Sequence, residues 1–351
     1  MDTTLSEEMT PGLSQVFNVL TMTPDQIKEI QTTVDHIDIP RLYDVDHIVL
    51  PGFGENAIAS ELLFWYLNDK STIPITLSSS EKLPKWANKH TLICPMNYSG
   101  NDPGLLHIFK EADQKHCKIL TSCAGGRLQT YCKHRQLPCL PLSSELLSQF
   151  TNELLLVSML SGFVKTGLFP QTIKKEIQET QKILSDLKKT MLPTVSKGKN
   201  LAKQISEHIK KSIPLFFGAE EYGSLAKYWS QQFNRNSKTS SFFYSVPDFS
   251  FHALEALTKN QPFSFGLNSV MFRDTSQESR ELKIQLNFIE TFCEDISSPP
   301  LIINPEGKSR LAKLLWLTYL GEFSSVYTAQ IQGTDPSSSL MIDQIQRQLS
   351  E

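Results

Sequence analysis

Two short turns carry the residue types that can hold an anionic ligand. The stretch "NYSGNDPG", residues 97–104, follows the apolar run "TLICPM" and precedes the helix-like "LLHIFKEADQKH". A strand, a Ser/Gly/Asn turn and a helix start together aim backbone N–H groups and a hydroxyl at a phosphate. Asp102 lies inside this turn and would repel such a ligand. Two unit charges about 4 Å apart interact by about 4 kcal/mol at an effective dielectric of about 20. Directly before Pro103, the same carboxylate also suits the N-cap of the following helix, so the turn reads equally as a cap. The other turn is "PGFGEN", residues 51–56, where Glu55 brings a second carboxylate and Asn56 an amide.

Both turns need strands to present them. "HIVL" reads as a short buried strand, and "AIASELLFWYL" after it as a helix of period 3.6. "TLICP" and then "CKILTSCAGGRLQTYCKH" repeat the strand-turn-helix plan. Such alternation implies parallel βαβ units and a sheet covered on both faces. The two polar turns then fall at the carboxyl ends of strands, where open α/β sheets bind ligands. The chain opens with two helical segments, "PGLSQVFNVL" and "TPDQIKEIQTTVDHI", the second starting at Thr23 or Pro24. After residue 170 comes the Lys-rich helical stretch "TIKKEIQETQKILSDLKK", a natural bridge between domains. The βα theme restarts with "IPLFFGAEEYGSLAKYWSQQF", and continues with "FSFGLNSVMFRDT", "SRELKIQLNFIETF" and "PPLIINPEG". The expected division is an N-terminal helical segment over 1–40, a first domain over 41–170, a helical linker over 171–212, and a second domain with a C-terminal helix over 213–351.

Composition narrows the function classes. With 351 residues there is enough chain for two cores. A hydrophobic share of 40% and a charged share of 20% are ordinary for a globular protein. A net charge of -3 gives no global electrostatic argument for nucleic acid. No stretch approaches the ~20 apolar residues of a membrane span, and the opening lacks the basic and apolar regions of a secretory leader. The six cysteines include no CxxC pair and are expected as reduced thiols in a cytoplasmic protein. The eight scattered histidines show no ligand spacing, so no metal is expected.

The order of motifs resembles the bifunctional phosphoglucose/phosphomannose isomerases, a family with two sugar isomerase (SIS) domains. "GFGENAIASELL" is similar to its glycine-serine loop and helix, "NYSGND" to its Ser-Tyr-Ser-Gly-Asn-Thr loop, and "TSCAGGRL" to its Thr-Ser-Gly-Gly-Lys-Leu turn. "PLFFGAEEYGSLAKYWSQQFNRNSK" resembles the strand and helix that close with Gln-x-Asn-Glu-Asn-Ser-Lys, and "GEFSSVYTAQIQGTDPSSSLMIDQIQRQL" resembles the family's C-terminal pattern. The likeness runs nearly end to end. It implies an α/β fold of two SIS-type domains, each a parallel sheet flanked by helices in a flavodoxin-like three-layer sandwich. It also implies a homodimer in carbohydrate metabolism that binds a sugar phosphate or related ligand, with no cofactor, no nucleic acid and no membrane partner.

The family reaction interconverts glucose-6-phosphate or mannose-6-phosphate with fructose-6-phosphate. Carried over by position, the resemblance implies that Gly52, Gly54 and Asn56 in one loop, and Asn97, Ser99, Gly100, Asn101 and Asp102 in the other, bind the ligand. Ser99, Gly100 and Asn101 are retained, whereas Asn97 replaces a serine and Asp102 a threonine. The family's carboxylate base falls on Arg235, which stays protonated and cannot abstract a proton. Its lysine falls on Gln346. Its ring-opening histidine falls on His252 if one residue is inserted, and on Phe251 if not. A general base alone is worth ~10²–10⁴ in rate. The expectation is therefore a carbohydrate-derivative-binding pseudoenzyme, impaired in the ancestral isomerisation. The alternative is an active aldose-ketose isomerase with relocated groups, drawn from Glu55, Asp102, Glu220 or Glu221.

Overall fold

The computed structural model describes residues 10–257 and 266–350. Helix α1 (Pro11–His36) runs unbroken through Pro24, where the sequence suggested a second helix start. A proline inside a helix leaves the carbonyl four residues earlier without its N–H partner. That carbonyl belongs to Leu20, and the Tyr319 hydroxyl donates to it at 2.7 Å. The neighbouring Thr21 carbonyl accepts from Lys188 Nζ at 3.1 Å. Donors from elsewhere replace the missing N–H, so the helix continues.

The chain divides into two compact units. One is Met22–Leu187 with Glu306–Trp316, and the other takes the described parts of Met1–Thr21, Lys188–Pro305 and Leu317–Glu351.

The unit around Met22–Leu187 contains β1 (His47–Pro51), α2 (Ala57–Asn68), β2 (Ile75–Ser78), β3 (Thr91–Ile93), α3 (Pro103–Gln114), β4 (Lys118–Ile119), β5 (Thr121–Cys123), α4 (Gly126–Arg135), β6 (Cys139–Pro141), α5 (Asn152–Lys165) and most of α6 (Thr172–Met191). Its strands pair in the order β2-β1-β3-β4, all parallel. A parallel bridge from Met96 to Ser122 and the parallel β5–β6 pair carry the pattern onward. This is the flavodoxin-like order, which reverses direction between β1 and β3. The inner strands β1, β3 and β5 are buried on both faces, as covered parallel strands are. Val49, Ile93 and Ile119 pack with Leu106, Ile108 and Phe109 of α3 and Leu128 and Cys132 of α4. Helix α5 is buried from Asn152 to Val164, and its Ser158 hydroxyl accepts from the Ser122 hydroxyl at 2.9 Å.

The second unit follows the same plan with α7 (Leu201–His208), β7 (Ile213–Ala219), α8 (Glu221–Gln232), β8 (Phe242–Val246), α9 (Asp248–His252), β9 (Leu267–Phe272), α10 (Arg280–Ile296), β10 (Leu301–Ile303), most of α11 (Arg310–Gln332) and α12 (Leu340–Ser350). The order is β10-β9-β7-β8, again parallel throughout, so direction reverses between β7 and β9. Alternation along β7 sends Phe216 against Trp229 and Phe233, and Phe217 against Tyr244 and Phe249 on the opposite face. The apolar run in α11 is core. Leu314, Leu315, Leu317, Tyr319, Leu320 and Phe323 are fully buried.

Candidate functional site

In an open α/β sheet a ligand crevice opens beyond the carboxyl ends of the strands where the order reverses. In the first unit that point lies between β1 and β3, and the turns leaving these strands are the two singled out by sequence. The structure brings them together. Asn56 Oδ1 accepts from the Tyr98 backbone N–H at 3.0 Å. Gly54, at φ +75°, stands so close to the other turn that a Cβ there would lie 2.7 Å from Asp102 Oδ2. Only glycine tolerates both the backbone angle and the approach. Gly52, Gly54, Asn56, Asn97, Ser99, Gly100, Asn101 and Asp102 all belong to this pair of turns.

The polar groups of the turns are largely occupied from within. Asn97 is buried, and its Oδ1 accepts from Ser99 Oγ at 3.1 Å, Asn101 N at 3.1 Å and Asp102 N at 3.4 Å. The loop N–H groups that would grip an anion are thus directed at a neutral side-chain oxygen. Asp102 Oδ1 accepts from Leu105 N at 2.9 Å and caps α3, while its Oδ2 faces the Gly54 backbone. The helix cap, one of the two sequence readings of Asp102, is present in the structure. Glu55 Oε1 accepts from Ser148 Oγ at 2.5 Å. Asn56 is buried and donates to Asn152 Oδ1 at 3.2 Å, which ties its turn to the start of α5. Asn101 is exposed and accepts from Arg127 N at 3.0 Å, within the first turn of α4.

A third turn, residues 124–126, closes against the second. Ala124 N donates to Tyr98 O at 2.8 Å, and Leu128 N to Gly100 O at 2.9 Å. A Cβ on Gly100, at φ +66°, would sit 2.0 Å from Gly125 O. Asn101, Gly126 and Arg127 then border a cleft of about 780 Å³ that Lys110, Tyr131 and His134 also line. Sequence reasoning passed over Tyr98, whose buried hydroxyl donates to Ser143 O at 2.9 Å and accepts from Leu146 N at 2.8 Å. Burial pushes the Tyr98 phenol above its ordinary range, so it stays a neutral donor. A tyrosine inside a polar turn was the available signal.

Arg235 and His252 lie in the second unit, on separate elements. Arg235 is half-buried in a π-helical turn, Phe233–Ser237, that extends α8. Single π-turns recur at functional sites. Its neighbours are held structurally. Asn236 is fully buried and donates to Gln232 Oε1 at 2.9 Å and Ser325 Oγ at 2.8 Å, and Asn234 Oδ1 accepts from Ser241 N at 3.0 Å. Lys238 Nζ donates to Arg235 O at 2.6 Å. Burial pulls the Lys238 ammonium below its ordinary range, opposed by the Asp335 charge and aided to a lesser degree by the Arg235 charge. His252 is the exposed last residue of the short helix α9. Gln346 lies in α12, and its side chain falls outside the described residues.

At the reversal point of the second sheet, Tyr222 Oη donates to Asp274 Oδ2 at 3.3 Å. Arg273 binds both carboxylate oxygens of Glu278, at 2.9 Å and 2.6 Å. It also reaches Asn287 at 2.8 Å and Glu290 at 3.2 Å. Sequence reading missed this cluster, because single charges at a strand end look solvated until the fold buries them. Among the described residues, no group of three or more His, Cys, Asp or Glu side chains is placed to hold a metal ion. No helix among them is long and apolar enough to cross a membrane.

Residues 198–349 match the family described as the bacterial phospho-glucose isomerase C-terminal SIS domain. The bifunctional phosphoglucose/phosphomannose isomerase of Caldicellulosiruptor bescii is 27% identical over 330 residues, spanning 93% of this chain and 97% of that one. Over nearly its whole length the chain is thus similar to the bifunctional phosphoglucose/phosphomannose isomerases, and its C-terminal part matches their SIS domain model. The Thermoplasma volcanium member is 23% identical over 333 residues, covering 92% of this chain and 99% of its own. Among solved structures, the C-terminal domain of glucosamine-fructose-6-phosphate aminotransferase from Francisella tularensis superposes with a TM-score of 0.70. That match is 11% identical and covers 95% of this chain and 99% of that one. It shows the fold, an α/β sandwich of SIS type, as the sequence led one to expect.

Proposed function

We propose that this isomerase-family protein binds a sugar phosphate or related carbohydrate derivative and is impaired in the ancestral aldose-ketose isomerisation. The observation that carries this reading is Asn97, whose buried amide oxygen draws in the Asn101 and Asp102 N–H groups and the Ser99 hydroxyl. Asp102 adds a built-in carboxylate beside Gly54, and the position of the family's base holds Arg235. Ligand contact is proposed at Gly52, Gly54, Asn56, Asn97, Ser99, Gly100, Asn101 and Asp102, with His252 as the remaining ring-opening candidate. The proposed domains are 41–170 and 213–351, joined by 171–212. Cytoplasmic location is supported by free thiols at all six cysteines, and a homodimer by the family resemblance.

Coupled assays with glucose-6-phosphate and mannose-6-phosphate test the reading, with turnover no higher than the buffer blank as the expected result. Clear turnover that His252→Ala abolishes would overturn it. The double change Asn97→Ser with Asp102→Thr restores two hydroxyls and removes the carboxylate. By calorimetry it is expected to raise affinity for inorganic phosphate.

One observation favours the alternative. Glu220, at the carboxyl end of β7, is exposed and sits at φ 52° and ψ -126°, a conformation strained for any residue but glycine. Such strain collects at functional sites. If turnover is found and Glu220→Gln removes it, Glu220 is the relocated base.

A further inference from the structure

Three thiols gather beside the third turn, away from the groups discussed so far. Cys123 ends β5, Cys139 begins β6, and Cys132 lies on α4. The parallel register pairs Thr121 with Cys139, so Cys123, two residues on, shares a sheet face with Cys139. Their sulfurs are 3.5 Å apart. Cys139 is half-buried, whereas the other five cysteines are buried. Hydrogen bonds from Cys123 and then Cys132, with the Lys133 charge, pull the Cys139 thiol below its ordinary range despite burial. The hydrogen bond to Cys139 and burial push Cys123 the other way. Cys139 is thus the more acidic and less buried thiol of the pair, and the Cys123 sulfur lies beside it. Reactive cysteines occupy such microenvironments.

We propose that Cys139 and Cys123 form an oxidative modification site, in which a peroxide converts the thiol pair to a disulfide. The Cys139 thiolate attacks one peroxide oxygen, so that an S–O bond forms, the O–O bond breaks and hydroxide leaves as water after protonation. The Cys123 sulfur then attacks the Cys139 sulfenic sulfur. The S–S bond forms, the S–O bond breaks, and the departing hydroxide takes the Cys123 proton as a second water. Two thiols lose two electrons in total and one peroxide gains them. The sulfurs close from 3.5 Å to the roughly 2 Å of a disulfide. The link joins β6 to the residue directly before the turn that closes on Tyr98 and Gly100. It therefore bears on the candidate ligand loop.

Trypsin separates the three cysteines, placing Cys123 in residues 119–127, Cys132 in 128–133 and Cys139 in a peptide that starts at Gln136. The full-length reduced protein is treated with stoichiometric hydrogen peroxide, alkylated without reductant, digested and mapped by mass spectrometry. The expected product is the 119–127 peptide joined to the Cys139 peptide, released by dithiothreitol. It should persist in Cys132→Ser. In Cys123→Ser, the Cys139 sulfenic acid should accumulate and be trapped by dimedone. A dominant link to Cys132, a Cys139 left fully alkylatable, or Cys139 carried only to sulfinic acid would each overturn the proposal. The wild-type map decides the matter even if Cys123→Ser fails to fold.

Discussion

The two sheets share one strand order and put that order to different use. In the unit around β1 and β3, the loops at the reversal point are tied by neutral amides, Asn56 to Tyr98 and Asn97 to Ser99, Asn101 and Asp102. In the unit around β7 and β9, the corresponding place holds a buried ion pair between Arg273 and Glu278, with side chains 7% and 4% exposed. Amide-tied loops are held by many modest bonds, each worth about 1 kcal/mol net. A buried ion pair concentrates the dependence in one contact, because removing one partner leaves an uncompensated charge. The first arrangement can lose one bond and adapt, and the second cannot.

The largest expected effect therefore belongs to the ion pair. Arg273→Met should destabilise its unit by about 3–5 kcal/mol, read as a lowered denaturant midpoint. Replacing Glu278 as well, by Leu, should recover much of that loss. A shift below about 1 kcal/mol in the single variant would remove the contrast. Next comes Asn97→Ala, which strips the acceptor from two backbone N–H groups and a hydroxyl and should cost about 1–3 kcal/mol in urea unfolding. Tyr98→Phe removes the hydroxyl that links Ser143 O and Leu146 N, and should cost about 1–2 kcal/mol. Equal loss from Asn97→Ala and Arg273→Met would show that the two loop pairs are held alike.

The smallest effect is in acid. Burial alone would raise the Glu111 carboxyl, but hydrogen bonds from Leu83 N and Lys115, with the Lys115 and His107 charges, hold it below the ordinary 4.5. A carboxyl depressed in the folded state contributes stability above the unfolded value and loses it as pH falls through the folded value. Glu111→Gln should therefore flatten the loss of stability below pH 4.5 and leave its slope near neutrality unchanged, as measured by melting temperature against pH. An unchanged acid limb would remove Glu111 from the comparison.

Much of the architecture was legible in the chain. "HIVL" and "TLICP" read as strands, and "IPLFFGAEEYGSLAKYWSQQF" and "FSFGLNSVMFRDT" as each holding one, because parallel strands are apolar on both faces, and β1, β3, β7 and β9 lie there. Strands β2 and β8 went unnoticed. Ile75–Ser78 is short and only half-buried, whereas β8 exposes Phe242 and Phe243 although its sequence, Phe-Phe-Tyr-Ser-Val, carries the apolar signature of a strand. Pro24 misled, since local chemistry says break while Tyr319, almost 300 positions away, supplies the missing donor.

The sequence by itself determined the family likeness, the βα alternation and the position of the two polar turns at strand ends, because those follow from local pattern and residue type. Tertiary structure alone decided what the loop side chains do. Whether Asn97 Oδ1 faces a ligand or its own backbone, and whether Asp102 caps a helix or lies idle in a turn, depends on which donors the fold brings within 3 Å or so. Residue type names a group's capacity to bond, and only the folded neighbourhood chooses the partner.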